Sequence, residues 1–286
     1  MSSRRDFLLA GGAAAASGGS ARAQTPRERH KLDTCAERWA RLEPFTQVYG
    51  PDDDTPRPAV LLFHGCGGVR VHLSEYAEAA AAIGVRAFVV DSYSARGWSP
   101  EFGRAFVCTG AVFRGDQRAG DVLAAIKGVS QRPDVDPTRL AVAGWSHGGW
   151  GIMELMSSPL EHAGEIGLAD PQDPDLSGVK GAFLAYPYVG FVATGRSRPW
   201  RRRPQTLGVI AKRDHLTTVR NARRVYDVVG GSGVPVEVWE AEGTHSFDER
   251  TGFGPMKYDP EVTAESVRRF TAFLRTGLDV TATTTA

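Results

Sequence analysis

The 286-residue chain has few cysteines, almost no net charge and no long apolar run. Its 34 basic and 33 acidic side chains leave a formal charge of +1. Nucleic-acid and membrane-surface binding usually need a strong basic bias, so the balance supports neither partner. No apolar stretch reaches the ~18 residues of a membrane-spanning helix, so no membrane insertion is expected once a leader is removed. There is no H-E-x-x-H, no cysteine pair at zinc spacing, and no dinucleotide fingerprint after a strand, so neither a metal nor an organic cofactor is expected. With only Cys35, Cys66 and Cys108, at most one disulfide can form. Three pairings are open. Cys66–Cys108 is slightly favoured because both should fall in loops at one end of the sheet, and three free buried thiols is the competing reading.

What is present begins at the N-terminus. Ser3-Arg4-Arg5-Asp6-Phe7-Leu8 sets two arginines before a mild apolar stretch, 7–16, and Ala21-Arg22-Ala23 is a small-x-small cleavage pattern. The order of these parts resembles a twin-arginine export signal over 1–23, which implies a periplasmic or secreted protein. Residues 24–54 read as a lead-in with a short helix at 32–42 and a first strand at 44–49. Residues 55–277 read as one domain, and 278–286 as a flexible tail. A chain of this size buries a large core without a disulfide or metal staple.

Within the domain the pattern alternates. Apolar runs at 59–63, 86–90, 139–143, 179–185, 206–211 and 234–241 read as strands buried on both faces. Helical segments at 73–83, 115–129, 147–157, 217–229 and 260–276 separate them, with a long loop at 92–112 and an irregular insertion at 158–177. Strands alternating with helices imply an α/β fold with a mostly parallel sheet covered on both faces. Such sheets bind ligands at the carboxyl ends of their strands, which is where the polar residues of interest fall.

Gly144-Trp145-Ser146-His147-Gly148 lies between a buried strand and a helix, the context of a nucleophile elbow. A serine hydroxyl needs a base, and imidazole has its pKa near working pH. Of seven histidines, His245 lies just after the last strand in a loop free to fold over the serine, whereas the ring of His147, next to Ser146, should diverge from the hydroxyl. Asp214 at the end of the fifth strand can orient His245, and the order Ser, Asp, His is that of α/β-hydrolases. The competing reading of Asp214 is a helix N-cap. Asp248 and Glu242 are fallback acids, too close in sequence to His245 to reach its far nitrogen well. The amide of His147 and an amide of the 64–68 loop, Cys66 being favoured, would hold an oxyanion.

Together, His64-Gly65-Cys66-Gly67-Gly68, Asp91-Ser92-Tyr93 with Arg96-Gly97, Gly144-Trp145-Ser146-His147-Gly148-Gly149, Asp214 and His245-Ser246-Phe247 resemble the dienelactone hydrolase family of α/β-hydrolases over roughly residues 55–275. The resemblance implies an eight-stranded, mostly parallel sheet, a compact site without a large cap, and the triad and oxyanion amides at the positions above. It also implies an arginine for a substrate carboxylate, for which Arg96 is the best-placed candidate, with Arg104 behind it. The chain departs from the family in carrying Ser146 where dienelactone hydrolases proper carry cysteine, which favours general ester or lactone hydrolysis over dienelactone. Trp98, Trp145, Trp150, Tyr186 and Phe247 are candidates to line an aromatic pocket. The expected function is an exported serine hydrolase of small ester or lactone molecules. An acyltransferase or peptidase on the same triad, and a binding protein that keeps only the scaffold, are the alternatives. Oligomeric state is not legible.

Overall fold

β2 (Arg57–Phe63), β3 (Arg86–Val90) and β5 (Val179–Ala185) are buried along nearly their whole length, as their unbroken apolar runs require. They belong to a computed structural model that describes residues 32–280 apart from 109 and 173. The leader expected at 1–23, residues 24–31 of the lead-in and residues 281–286 of the expected tail lie outside the described residues.

In chain order the elements are α1 (Cys35–Leu42), β1 (Thr46–Tyr49), β2, α2 (Val71–Ala82), β3, α3 (Pro100–Phe102), α4 (Gly115–Ser130), β4 (Val135–Trp145), α5 (His147–Ser157), β5, β6 (Gln205–Arg213), α6 (Val219–Gly231), β7 (Val236–Thr244) and α7 (Pro260–Gly277). The sheet order is β1-β3-β2-β4-β5-β6-β7, with β1 antiparallel to β3 and every other pair parallel. The eight strands implied by the resemblance are thus seven among the described residues. The stretch 50–56, with Pro51, Pro56 and three successive aspartates, is an irregular break between β1 and β2. The expected loop at 92–112 is partly helical: α3 runs into a wide turn at Gly103–Val107. The insertion at 158–177 holds one short helical turn, Glu165–Gly167.

Alternation along the strands splits the core. Leu61 and Phe63 face a cluster built with α1, α4, α5 and α6, while Val60 and Leu62 face one built with α2 and α7. Each such buried side chain contributes roughly 1.5–3 kcal/mol. Beyond α7, Leu278 is buried and Val280 packs on the same cluster, so the domain extends past the expected start of the tail. Cys35 is a buried free thiol on α1, whereas Cys66 and Cys108 form a disulfide.

Sheet topology positions the site. The chain leaves β2 toward β3 on one side and returns to β4 on the other, so β2 and β4 flank the point where the winding reverses, the usual ligand crevice of such sheets. Phe63 pairs with Gly144, which brings the loop after β2 beside the turn after β4. Arg213 pairs with Thr244, which makes the next residues, Asp214 and His245, neighbours across the β6 and β7 ends.

A charged cluster lies under the β2 and β4 ends. Asp121 of α4 is fully buried and accepts from Arg38 (2.8 Å) and, through both oxygens, from Arg96 (2.8 and 2.9 Å). Burial pushes its carboxyl up, but the Arg96, Arg38 and Arg118 guanidiniums more than reverse this and hold it well below the ordinary carboxylate range. A depressed carboxyl adds stability above its unfolded pKa of about 4, and this is lost as pH falls. Asp121→Ala, which strands two buried guanidiniums, is expected to cost about 3–5 kcal/mol in denaturant unfolding. Asp121→Asn should flatten the loss of stability below about pH 4 relative to the parent; an unchanged acid slope would remove Asp121 from this role.

Candidate active site

Ser146 sits between the last residue of β4 and the first of α5 with φ 49° and ψ −109°. This is a costly region for a residue with a Cβ, and it raises the side chain above the sheet. Two glycines make the bend possible. A Cβ on Gly148 would lie 2.0 Å from the Phe63 carbonyl oxygen, and one on Gly144 would lie 2.5 Å from the Gly149 nitrogen. The bend is held by Ser146 N–H donating to the Ala185 carbonyl (3.0 Å), while the Ser146 carbonyl accepts from Trp150 and Tyr188.

Three sequence-predicted residues come together here. Ser146 Oγ lies 2.9 Å from His245 Nε2, and His245 Nδ1 lies 2.7 Å from Asp214 Oδ2. The other Asp214 oxygen accepts from the amides of Leu216 (2.7 Å) and Thr217 (3.0 Å), so a backbone turn aims the carboxylate at the ring. The competing role as N-cap of α6 falls to Thr218, whose side chain accepts from Asn221 N–H. With Nδ1–H donated to Asp214, Nε2 is left to accept the serine proton. His215 stands edge-on to His245 at 6.0 Å.

The His147 ring diverges from the hydroxyl, as expected. Its Nε2–H donates to the Phe113 carbonyl (2.8 Å), and burial, then the nearby Arg118 charge, pushes its pKa down to about 3, so the ring is neutral. Its amide is the first of α5, one of the N–H groups that helix geometry leaves without an intrahelical acceptor. Cys66 lines the same cleft, with its carbonyl accepting from the Tyr93 hydroxyl (3.0 Å). His64, the first residue of this loop, donates from Nδ1 to the Gly65 carbonyl (2.6 Å) and accepts from Ser92 N–H at Nε2 (3.3 Å). Burial, then Arg118, holds it well below the usual histidine range.

The cleft in front of Ser146 is lined by Cys66, Val107, Cys108, Gly110, His147, Trp150, Tyr188 and Leu216. Of the side chains expected to meet substrate, Arg96, Arg104, Trp98, Trp145, Tyr186 and Phe247 are not among them. Arg96 is committed to Asp121 and stacks over Phe113 at 4.2 Å, because a buried carboxylate claims a nearby guanidinium. Trp98 packs against Tyr93, Phe102 and Phe113. Trp145 points into the core, since alternation along β4 turns residue 145 away from the bend at 146. Tyr186 is buried with its ring 4.8 Å from His245. Of the wider aromatic set, Trp150 does reach the cleft, fixed by Nε1–H donating to the buried Glu154 (2.8 Å).

Asp248, weighed as a fallback acid, proves to have another place. It is fully buried and accepts from Trp145 Nε1 (3.0 Å), from Tyr76 (3.2 Å) and from the Tyr186 hydroxyl. It therefore ties the loop bearing His245 to the residue before Ser146 and to the end of β5. The sequence shows only an aspartate in a short loop; its three donors come from distant segments. Tyr188, Val107 and Leu216 were likewise not singled out, since nothing local marks them as facing Ser146. Among the described residues no group of three or more potential metal ligands occurs, and no helix is long and apolar enough to cross a membrane.

The dienelactone hydrolase family model matches residues 46–166, which include the 64–68 loop and the elbow. No curated protein sequence matches the chain. Among solved structures, a dienelactone hydrolase-like promiscuous phosphotriesterase from metagenomic libraries is 17% identical, with TM-score 0.57, covering 80% of this chain and 92% of its own. Esterase 2 of Thermogutta terrifontis is similar in its propionate-bound form (19% identity, TM-score 0.56, covering 80% of this chain and 88% of its own). It is also similar when phosphonylated by sarin (15% identity, TM-score 0.58, covering 81% and 89%). The chain carries the α/β-hydrolase fold of the dienelactone hydrolases, and its residues 46–166 carry that family's sequence pattern.

Proposed function

We propose that the protein is an exported serine hydrolase that cleaves small, uncharged carboxylic esters or lactones through an acyl-enzyme on Ser146. The observation that carries this reading is the continuous hydrogen-bonded path from Ser146 Oγ through His245 to Asp214, with 2.9 and 2.7 Å links. His245 Nε2 takes the hydroxyl proton as Oγ attacks the carbonyl carbon. The resulting oxyanion lies between the amides of His147 and Cys66. Collapse expels the alcohol, which takes the proton from His245. Water, deprotonated by the same nitrogen, then releases the acid and restores the serine.

Two features support the substrate class. The cleft walls are apolar or neutral, and the arginine best placed by sequence to meet a carboxylate is held by Asp121. A carboxylate-bearing substrate would enter such a cleft without a cationic partner, at a desolvation cost. Export rests on the Arg4-Arg5 leader pattern, and a disulfide with one exposed cysteine suits an oxidising compartment. The reported phosphonylation of the T. terrifontis esterase motivates a fluorophosphonate as a probe of Ser146.

Ser146→Ala is expected to abolish p-nitrophenyl acetate hydrolysis and fluorophosphonate labelling with Tm within a few degrees of the parent; retained turnover would end this reading. Asp214→Asn should lower kcat by about 10⁴-fold, since the ring loses the acceptor that fixes its tautomer. Asp248→Asn should chiefly lower Tm, with kcat within about tenfold, because it disturbs buried donors rather than the imidazole. The reverse ranking would make Asp248 the acid. Phenyl acetate should be hydrolysed with a kcat/KM at least about tenfold above that of its para-carboxylate analogue, and parity between the two would contradict an uncharged substrate.

A further inference from the structure

Both residues that flank the oxyanion position are tied by their side chains to a single surface segment. Cys66 is bonded to Cys108, and the His147 ring donates to the Phe113 carbonyl. That segment is bonded to itself: Cys108 N–H donates to the Gly103 carbonyl (3.0 Å), Gly110 N–H to Val107 (2.9 Å), and the amides of Ala111 and Val112 to Phe106 (3.0 and 3.2 Å). Its far end is held where the Arg96 guanidinium covers the Phe113 ring. The 64–68 loop is therefore gripped on its carbonyl side by the Tyr93 hydroxyl and on its side-chain side by the disulfide.

We propose that the Cys66–Cys108 disulfide is a positioning device for the oxyanion loop, so that a dithiol reductant slows the chemistry of the site without dismantling the triad. The inference rests on Ser146 being the nucleophile. With the S–S bond intact, the spacing between the Cys66 and His147 amides is set through one rigid strap. Once the bond is broken, the peptide at Cys66 can pivot about its hydrogen bond to Tyr93. The Ser146–His245–Asp214 links run through the ends of β4, β6 and β7, and among the described residues neither is a hydrogen bond to Cys66 or Cys108.

Cys108 is exposed, so its sulfur is open to attack. A dithiol thiolate attacks Cys108 Sγ and expels the Cys66 thiolate, which takes up a proton. The second thiol of the reagent, losing its proton, then attacks the mixed disulfide and releases the Cys108 thiolate, which is protonated in turn. Two electrons and two protons pass from the dithiol to the protein, and the reagent leaves as its cyclic disulfide. The third cysteine, Cys35, is buried on α1 and takes no part.

The test is steady-state kinetics of the folded protein on a neutral aryl acetate before dithiothreitol, after it, and after reoxidation, with thiol titration confirming two new thiols. Full loss of one oxyanion donor costs about 10²–10³ in kcat. Loosening one that is still held by Tyr93 should lower kcat by about tenfold, with KM within about twofold, and reoxidation should restore it. The Cys66→Ala/Cys108→Ala double variant should start at the reduced level and ignore dithiothreitol. Full kcat in the verified reduced form would overturn the proposal. So would a loss of activity that tracks a loss of near-ultraviolet circular dichroism, since the disulfide would then be a staple for the whole fold. Failure of the nucleophile reading is separately visible, as undiminished turnover by oxidised Ser146→Ala.

Discussion

The close approach of the α5 backbone to the end of β2 is the constraint on which the site depends. With hydrogen atoms at positions 144 and 148, the chain can leave β4, turn through a single left-handed serine and enter a helix within one residue. Any side chain there meets backbone rather than a movable group. The helix would shift away from the sheet, and the amide of His147 would move with it. The strain at Ser146 persists because both of its peptide groups are held, by Ala185 of β5 on one side and by Trp150 of α5 and Tyr188 after β5 on the other.

Register supplies the rest of the geometry. Parallel strands that end level with one another deliver sequence-distant residues to the same height, so Asp214 and His245 meet because residues 213 and 244 are paired. The contact needs only one soft element, the His245 loop, and Asp248 removes that softness. A buried carboxylate with three neutral donors is costly to desolvate yet directional, and it secures the loop to both strands that flank the nucleophile. Ser246, at φ 56°, shows that this loop is also held under backbone strain.

How much could be read beforehand follows from the range of the interactions. Long apolar runs and glycine-flanked turns are local, so the parallel sheet, the elbow and the meeting of Ser146, Asp214 and His245 were legible from residue types at strand ends. The number of strands was not, because the count of eight came from the resemblance and not from an apolar run of this chain, whose described residues form seven. The lining of the cleft was the least legible part. Arg96 looked free until Asp121, 25 residues later, claimed it. Trp145 looked like a pocket residue until alternation turned it into the core. Val107, Tyr188 and Leu216 reach the cleft from three separate loops with no shared spacing.

The odd cysteine has a bearing on how this chain matures. Cys35 is enclosed on α1, and burial pushes its thiol up to about 11, so little thiolate exists there at neutral pH. A polypeptide that acquires its tertiary structure before it meets an oxidant would thus offer only one pair of sulfurs for bridging. In the folded chain, exchange of the Cys66–Cys108 bridge with Cys35 is therefore disfavoured, because the third sulfur is enclosed and mostly protonated.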